Sequence, residues 1–349
     1  MPKIYGAGVS ISRGKVGHFS QITNHLIIRK GTTMKKIEYE NKTEAMLIPR
    51  AKKRKRPVLA FLNINSERKI ENAIMDKQVL QIQDMLSNKE FDELDLVLYT
   101  RGGEMDSTLR IIETLRQSAS SIIGHIPYYI YSAGTIIALA CDEIVMGNHS
   151  TLSPVDPQVD LYSSKMPFMS SLDITRGVDA MKALAVETFE SVYPKVKVMT
   201  GNRLNSLDEI TVASNFATDL ASKLAKDLSI KDYGYHSRLL QESADSVAKS
   251  LKSSKIYDPF YPEQSQSQID KIVQRLVYSY NAHGCPISRE EAEEIGIPVV
   301  EASEEDQQVF DEIADEIRHS REDIIFLYNP KTKEITYPND EITYGSTVL

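Results

Sequence analysis

Two scarcities in the sequence exclude several classes of protein. Its 349 residues include only two cysteines, Cys141 and Cys285. Two cysteines cannot form a disulfide framework, which favours a reducing compartment, and the expected location is the cytoplasm. No stretch approaches the roughly 18 consecutive apolar residues of a membrane-spanning helix. Residues 1–20 also lack the apolar core of a signal peptide. A secreted or membrane-spanning protein is therefore not expected.

Common cofactor motifs are missing as well. The sequence contains no HExxH, no CxxC and no GxxxxGK[ST], so it does not support a zinc, redox-dithiol or ATP site. Nothing in it supports an NAD site either. A GxSxG elbow, which is typical of α/β-hydrolases, is also absent. The expectation is an activity without a metal ion or cofactor.

Charge is unevenly distributed along the chain. The formal net charge is −8. Residues 1–56 nevertheless hold a large excess of Lys and Arg, which ends in the basic run at residues 50–56. Such a run could bind nucleic acid or an anionic membrane surface. No aromatic residue interrupts Lys52–Arg56 to stack on bases, so we favour a solvated linker, or an arm that docks on an acidic neighbouring subunit.

Strand-like and helix-like segments alternate after the basic run, which is typical of an α/β fold with a mostly parallel sheet. Short apolar runs predict strands, and apolar residues at helical spacing predict the helices between them. The strands are predicted at 58–64, 94–99, 122–131 and 143–146, and the helices at about 70–86, 105–117 and 133–140.

Beyond Val159 the pattern becomes mainly helical. Helices are predicted at 174–192, 207–228, 238–251, 265–280 and 290–295, the last with Ser288 as its N-cap. An acidic stretch follows, and residues 324–337 resemble a β-hairpin. The predicted organisation is a basic arm (1–56), a catalytic core (57–197), a helical extension used for oligomerisation (198–300), and an acidic stretch with a hairpin tail (301–349).

Two glycine-containing turns lie between a predicted strand and a predicted helix. One holds Gly102 and Gly103, and the other holds Ser132, Ala133 and Gly134. The carboxyl ends of parallel strands meet at one edge of a sheet, so both turns can face one crevice. There a serine hydroxyl could act as a nucleophile, and one backbone N–H from each turn could form an oxyanion hole. Taken singly, each turn is more typical of an N-cap or an ordinary loop than of a catalytic site, and the joint placement of the two is more informative than either one.

A set of motifs extends from these turns toward the C-terminus. The segments are Leu98–Gly103, Tyr131–Ala140, Asp142–Met146, Leu152–Gln158 and Cys285–Pro298. Together they resemble the serine dehydrogenase proteinase family of the ClpP/crotonase superfamily, which is related to signal peptide peptidase A. The resemblance covers about residues 57–300. It implies a ClpP/crotonase-like ββα superhelical core with a helical C-terminal region.

The resemblance also implies a serine endopeptidase that works through a Ser–Lys dyad. Ser132 matches the nucleophile, and Gly103 and Ala133 match the oxyanion-hole amides. Lys182 lies on a helix that follows the serine, as the lysine base does in related peptidases, and Lys165 is a weaker candidate. A lysine base needs a lowered pKa, which burial can provide, and apolar neighbours make that plausible for Lys182.

Histidine bases are considered beside the lysine. The segment after the serine that matches the histidine of ClpP itself reads Pro154–Gln158 and holds no histidine. His149 is expected to be exposed and His125 to be structural, while no role is assigned to His283. Asp156 is expected to help shape the site or to orient Lys182, although a structural turn explains it equally well, and Gly102 is a second site-shaping residue.

One residue departs from the family pattern. Arg101 stands where related peptidases often carry proline before the glycine pair. An arginine there loses the fixed φ of proline. It could instead contact a substrate carboxylate or a neighbouring subunit, and so alter specificity.

Three hypotheses about function follow. The favoured one is a homo-oligomeric serine peptidase that cleaves peptides or unfolded proteins through an acyl-enzyme. The others are a crotonase-like acyl-CoA enzyme and a non-catalytic oligomeric scaffold whose basic arm binds nucleic acid or a partner protein.

Overall fold

The structure is a computed structural model that describes residues 39–64, 73–160, 168–201, 203–227 and 229–339. All of these residues belong to one compact unit, Tyr39–Leu349. The predicted boundary at residue 56 falls inside this unit. Lys165 and most of the predicted basic arm lie outside the described residues.

The described chain forms an α/β fold, as predicted. The strands are β1 Val58–Leu62, β2 Phe91–Tyr99, β3 Ala119–Ile126, β4 Glu143–Met146, β5 Gln158–Asp160, β6 Phe168–Ser170, β7 Val299–Glu301, β8 Ile324–Asn329 and β9 Glu334–Thr336. The helices are α1 Lys42–Arg54, α2 Asp76–Leu86, α3 Met105–Ser118, α4 Ala133–Leu139, α5 Ser171–Thr200, α6 Ser206–Leu224, α7 Ile230–Ser253, α8 Pro262–Val273, α9 Arg289–Ile295 and α10 Glu304–His319.

One seven-stranded sheet organises the unit, in the order β7-β4-β3-β2-β1-β8-β9. Neighbouring strands from β7 to β1 pair in parallel, whereas β1–β8 and β8–β9 pair antiparallel. The predicted C-terminal hairpin is therefore confirmed, and it extends the sheet beyond β1. Strands β5 and β6 form a separate antiparallel pair.

Alternating residues of the sheet face two apolar layers. Leu59 and Phe61 of β1 lie in one buried cluster with α2, α3, α4 and α7. Val58, Ala60 and Leu62 lie in the other, with α1 and α10. Successive strand side chains point to opposite faces, so a continuous apolar run is the pattern of a strand covered on both sides.

The basic run lies at the C-terminal end of α1 and docks onto this same chain. Arg50 pairs with Asp306 on α10. Arg56 Nη1 lies 2.9 Å from Asp95 Oδ1 on β2, and Arg54 pairs with both aspartates. Three arginines of the run thus stabilise the packing of α1.

Helices α5 and α6 are mostly exposed in a single chain. Helix α5 has 30 residues, about 45 Å at 1.5 Å per residue. Only Ser171 and Leu172, at its N-terminus, are buried. Helix α6 packs along it and exposes Leu207 and Phe216. None of the described helices is both long and apolar enough to cross a membrane.

Candidate active site

Ser132 occupies a strained position at the start of α4. Its backbone has φ 48° and ψ −106°, a region that residues with a Cβ rarely adopt and that costs about 1–3 kcal/mol. The turn around it is closed by a hydrogen bond from the Gly134 N–H to the Tyr131 carbonyl, 2.8 Å. Such strain persists only where surrounding contacts enforce it, so the contacts of Ser132 are informative.

Ser153 supplies the principal contact. Its hydroxyl oxygen accepts a hydrogen bond from the Ser132 N–H at 2.7 Å, and its own proton goes to the Pro154 carbonyl at 2.9 Å. The Thr135 hydroxyl donates a hydrogen bond to the Ser153 carbonyl at 3.0 Å and accepts one from the Ser153 N–H at 3.2 Å. Ser153 is fully buried. The sequence reasoning did not select it, although it lies in the matched motif Leu152–Gln158.

The glycine pair lies directly beside this turn. Gly102 has φ 106°, and a Cβ placed on it would lie 3.2 Å from the Ser132 Cβ. A Cβ on Gly103 would lie 2.3 Å from the backbone N and O of Ile74, with which Gly103 forms a parallel bridge. Both positions therefore require glycine, the first for its φ and the second for the close approach of another backbone.

The proposed oxyanion donors are the N–H groups of Gly103 and Ala133. In the part of the chain that the structure describes, neither donates a hydrogen bond. The N–H of Gly102, by contrast, is held by Thr100 Oγ1 at 3.1 Å. The two candidate donors come from turns that touch each other, since a Cβ on Gly102 would lie 3.6 Å from the Ala133 nitrogen.

Asp156 lies at the other end of the segment that carries Ser153. It is buried, and its carboxylate accepts hydrogen bonds from Ser170 Oγ at 2.5 Å and Gln158 Nε2 at 2.9 Å. Asp156 Oδ1 also lies 3.0 Å from Nδ1 of His283. Burial alone raises the pKa of Asp156, but the hydrogen bonds from His283 and Ser170 outweigh it and hold that pKa below its ordinary value.

This arrangement sets the tautomer of His283. An ionised carboxylate can only accept a hydrogen bond, so Nδ1 carries the proton and the neutral ring keeps Nε2 as an acceptor. The His283 side chain is partly exposed, at 27%. Sequence reasoning assigned His283 no role. The signal that could have found it was its place in Asn281–Cys285, beside the matched C-terminal motif.

The predicted lysine base lies in different surroundings. Lys182 is exposed on α5, and its Nζ lies 2.9 Å from Asp179 Oδ1. The hydrogen bond from Lys182 to Asp179 raises the pKa of the ammonium. A general base needs the opposite shift, so the contacts of Lys182 give the Ser–Lys hypothesis no support.

Two other histidines have the environments expected of them. His125 is buried on β3, with Nε2 3.2 Å from Asp95 Oδ1. His149 is exposed in the loop after β4. Within the described ranges, no three His, Cys, Asp or Glu side chains are grouped so as to hold a metal ion.

The sequence matches the family described as ClpP-like SDH-type serine proteinase over residues 20–248, well over half of the chain. The chain belongs to this family. The match begins at residue 20, whereas the resemblance identified from the motifs covers about residues 57–300. It includes Ser132, Asp156 and Lys182, and ends before His283.

Similar proteins have been recorded in an archaeon. One uncharacterized protein of Methanocaldococcus jannaschii is 33% identical over 197 residues, which cover 56% of this chain and 53% of that protein. A second uncharacterized protein of the same organism is 31% identical over 106 residues, 30% of this chain and 33% of its own length. The chain thus spans about half of the first relative and a third of the second. No solved structure matches the chain.

Proposed function

We propose that this chain is a serine peptidase that cleaves polypeptides through an acyl-enzyme, with Ser132 as the nucleophile. The observation that carries the proposal is the strained backbone of Ser132 beside the glycine pair. A serine in this conformation projects its hydroxyl from a strand-to-helix turn, where a substrate carbonyl can reach it. Membership of a ClpP-like serine proteinase family supports the same reading, and a ClpP/crotonase-like ββα superhelical core is part of the proposal.

We propose His283 as the general base and Asp156 as the residue that positions it. The supporting contact is the 3.0 Å approach of Asp156 Oδ1 to His283 Nδ1. Ser153, which holds Ser132, and Asp156 are only three residues apart, and three extended residues span at most about 11 Å. The Ser–Lys dyad, with Lys182 as base, is the alternative and requires α5 to change its surroundings.

In the proposed reaction, one proton moves from Ser132 to His283 and then to the leaving amine. Ser132 Oγ attacks the scissile carbonyl while Nε2 of His283 takes the hydroxyl proton. The N–H groups of Gly103 and Ala133 bind the resulting oxyanion. The C–N bond breaks, and the amine leaves with the proton from His283. Water, activated by the same histidine, then hydrolyses the ester and restores Ser132.

Assembly into a homo-oligomer is a further part of the proposal. Apolar side chains of α5, α6 and the start of α7 are exposed in a single chain, among them Val198, Met199, Leu207, Phe216 and Ile230. Where such side chains form a contiguous patch, the patch marks a protein interface more often than a free surface. Such an interface could enclose the site and restrict it to peptides or unfolded chains.

Labelling with a fluorophosphonate probe tests the peptidase proposal. The wild-type protein should form a covalent adduct, and mass spectrometry of its peptides should place the adduct on Ser132. The Ser132→Ala variant should not be labelled, whereas the Ser246→Ala variant, changed at a buried serine of α7, should be labelled normally. Absence of wild-type labelling in the assembled protein would contradict the proposal and favour the scaffold or acyl-CoA hypothesis.

A further inference from the structure

An arginine lies next to the nucleophile turn without a place in the proposed mechanism. Arg101 follows β2 and directly precedes Gly102, where a Cβ would lie 3.2 Å from that of Ser132. The backbones of the two turns are joined there, since the Tyr131 N–H donates to the Thr100 carbonyl at 3.0 Å. The exposed Arg101 side chain therefore starts beside Ser132.

Tyrosine hydroxyls hold the guanidinium in place. Arg101 Nη2 donates to the Tyr129 hydroxyl at 3.3 Å, and the buried Tyr99 donates to the same oxygen at 2.8 Å. The Tyr129 ring packs 4.8 Å from that of Tyr131, the residue before the nucleophile. As a guanidinium, Arg101 keeps its positive charge at neutral pH.

Among the residues that the structure describes, the cation has no ionic partner. Within the described residues, no carboxylate lies within 4.0 Å of the Arg101 guanidinium, whereas Arg56 and Arg116 each bind an aspartate. A guanidinium has five N–H donors, and a single bond to Tyr129 leaves most of them available. Tyr129 accepts two hydrogen bonds, so its own proton is free to be donated as well.

We propose that Arg101 and Tyr129 form a subsite that binds a carboxylate of the substrate. The inference rests on the proposed peptidase function, because it assigns the specificity of that same site. Guanidinium and carboxylate match in geometry and charge, and hydrogen bonds between ionised partners are roughly twice as strong as neutral ones. The carboxylate can belong to a free C-terminus or to an acidic side chain.

The location limits where that carboxylate lies in the substrate. One extended residue spans about 3.3–3.6 Å, and Arg101 is only one residue from the glycine that contacts Ser132. The bound carboxylate therefore belongs to a residue within about two positions of the scissile bond.

Peptide binding to the Ser132→Ala protein tests the subsite without relying on catalysis. Two dye-labelled peptide pairs serve as probes in fluorescence anisotropy. One pair differs only in a C-terminal carboxylate or carboxamide, and the other, amidated throughout, differs only in an internal Asp or Asn. We expect roughly tenfold tighter binding of the charged member in at least one pair. The pair that shows it identifies the source of the carboxylate.

Variants in the same background decide whether Arg101 is responsible. Arg101→Ala should remove the preference, Arg101→Lys should restore part of it, and Lys249→Ala, at an exposed cation of α7, should keep it. A preference that survives Arg101→Ala overturns the subsite, as does equal binding, or no binding, of both members in both pairs. Fluorophosphonate labelling of the wild-type protein, measured beside these binding assays, reports on the nucleophile separately. Failure of the peptidase proposal would thus appear as a loss of fluorophosphonate labelling. Failure of the subsite would appear in the peptide-binding measurements.

Discussion

Asp156 and His283 are 127 residues apart in the chain, yet a carboxylate oxygen of the first lies 3.0 Å from Nδ1 of the second. Neighbouring backbone contacts bring them together, since Leu152 and Ile287 exchange two hydrogen bonds and the Val155 N–H donates to the Leu276 carbonyl. The pair thus rests on the pairing of two segments that are far apart in the chain.

Replacing His283 separates the two candidate bases. We expect His283→Ala to slow fluorophosphonate labelling by at least about 100-fold, because a general base contributes roughly 10²–10⁴-fold. Asp156→Asn should also slow labelling, since the histidine loses its orienting acceptor. Lys182→Ala should label at the wild-type rate. Rapid labelling of His283→Ala together with loss of labelling in Lys182→Ala would restore the Ser–Lys dyad.

Ser153 should act through the backbone of Ser132. Removing its hydroxyl leaves the Ser132 N–H without its acceptor, and a small displacement of the nucleophile can cost up to about 100-fold in rate. We therefore expect Ser153→Ala to lower the labelling rate by about tenfold or more. The matched control is Ser246→Ala. Ser246 is a buried serine whose hydroxyl donates to the Glu242 carbonyl within α7. Equal labelling rates in the two variants would refute a positioning role.

Glycine substitutions should differ sharply between two places in the fold. Gly103→Ala forces a Cβ to within 2.3 Å of the Ile74 backbone, so it should destabilise the protein and displace a candidate oxyanion donor. Gly177→Ala lies within α5 with nothing within 4 Å of the new atom. It should raise the free energy of unfolding by up to about 1 kcal/mol, because alanine favours helix. Urea titrations followed by circular dichroism measure both changes, and a stable Gly103→Ala protein would contradict the close approach.

Asp95 should make stability depend on acid pH. Burial raises the pKa of Asp95. The neighbouring His125 and Arg56 lower it by a larger amount, so that the pKa falls to about 2. A lowered folded pKa gives stability that is complete above the unfolded pKa, near 3.9, and is lost as the pH falls toward 2.

The corresponding variant is Asp95→Asn. At neutral pH it should lower the free energy of unfolding by about 1.5–3 kcal/mol, because it removes the carboxylate that accepts the hydrogen bond of the partly buried Arg56. The difference from wild type should shrink by roughly 2 kcal/mol between pH 4 and pH 2. Asp92→Asn, on the exposed face of the same strand, is the control and should change stability little. Denaturant titrations at several pH values would reveal a pH-independent difference if the ion pairs were unimportant.

The exposed apolar residues of α6 should control assembly. We expect the wild-type protein to sediment as an oligomer in analytical ultracentrifugation. Leu207→Ser with Phe216→Ser should shift it toward the monomer, since burying such side chains stabilises an interface by roughly 1.5–3 kcal/mol each. The control is Val300→Ser on β7, a partly exposed apolar residue far along the chain. A wild-type monomer, or an oligomer unaffected by the α6 changes, would contradict the proposed interface.

The sequence by itself determined the local elements and the family. The spacing of apolar residues located helices of the α/β fold, and short apolar runs located its strands. Ser288 was correctly identified as the N-cap of α9. These features depend on residues close together in the chain. Helix α1, in the predicted basic arm, and the three-residue strands β5, β6 and β7 were missed. Helix α10, in the acidic stretch, was missed as well, although Phe310, Ile313 and Ile317 recur there at helical spacing.

Only the tertiary structure decided which distant side chains meet. It brought Asp156 next to His283 and the Ser153 hydroxyl next to the Ser132 N–H. It also paired the arginines of the basic run with Asp95 and Asp306. It also left Lys182 exposed, although apolar neighbours in sequence suggested burial. On a helix, adjacent residues point in different directions, so burial depends on what packs against each face rather than on neighbours in the chain.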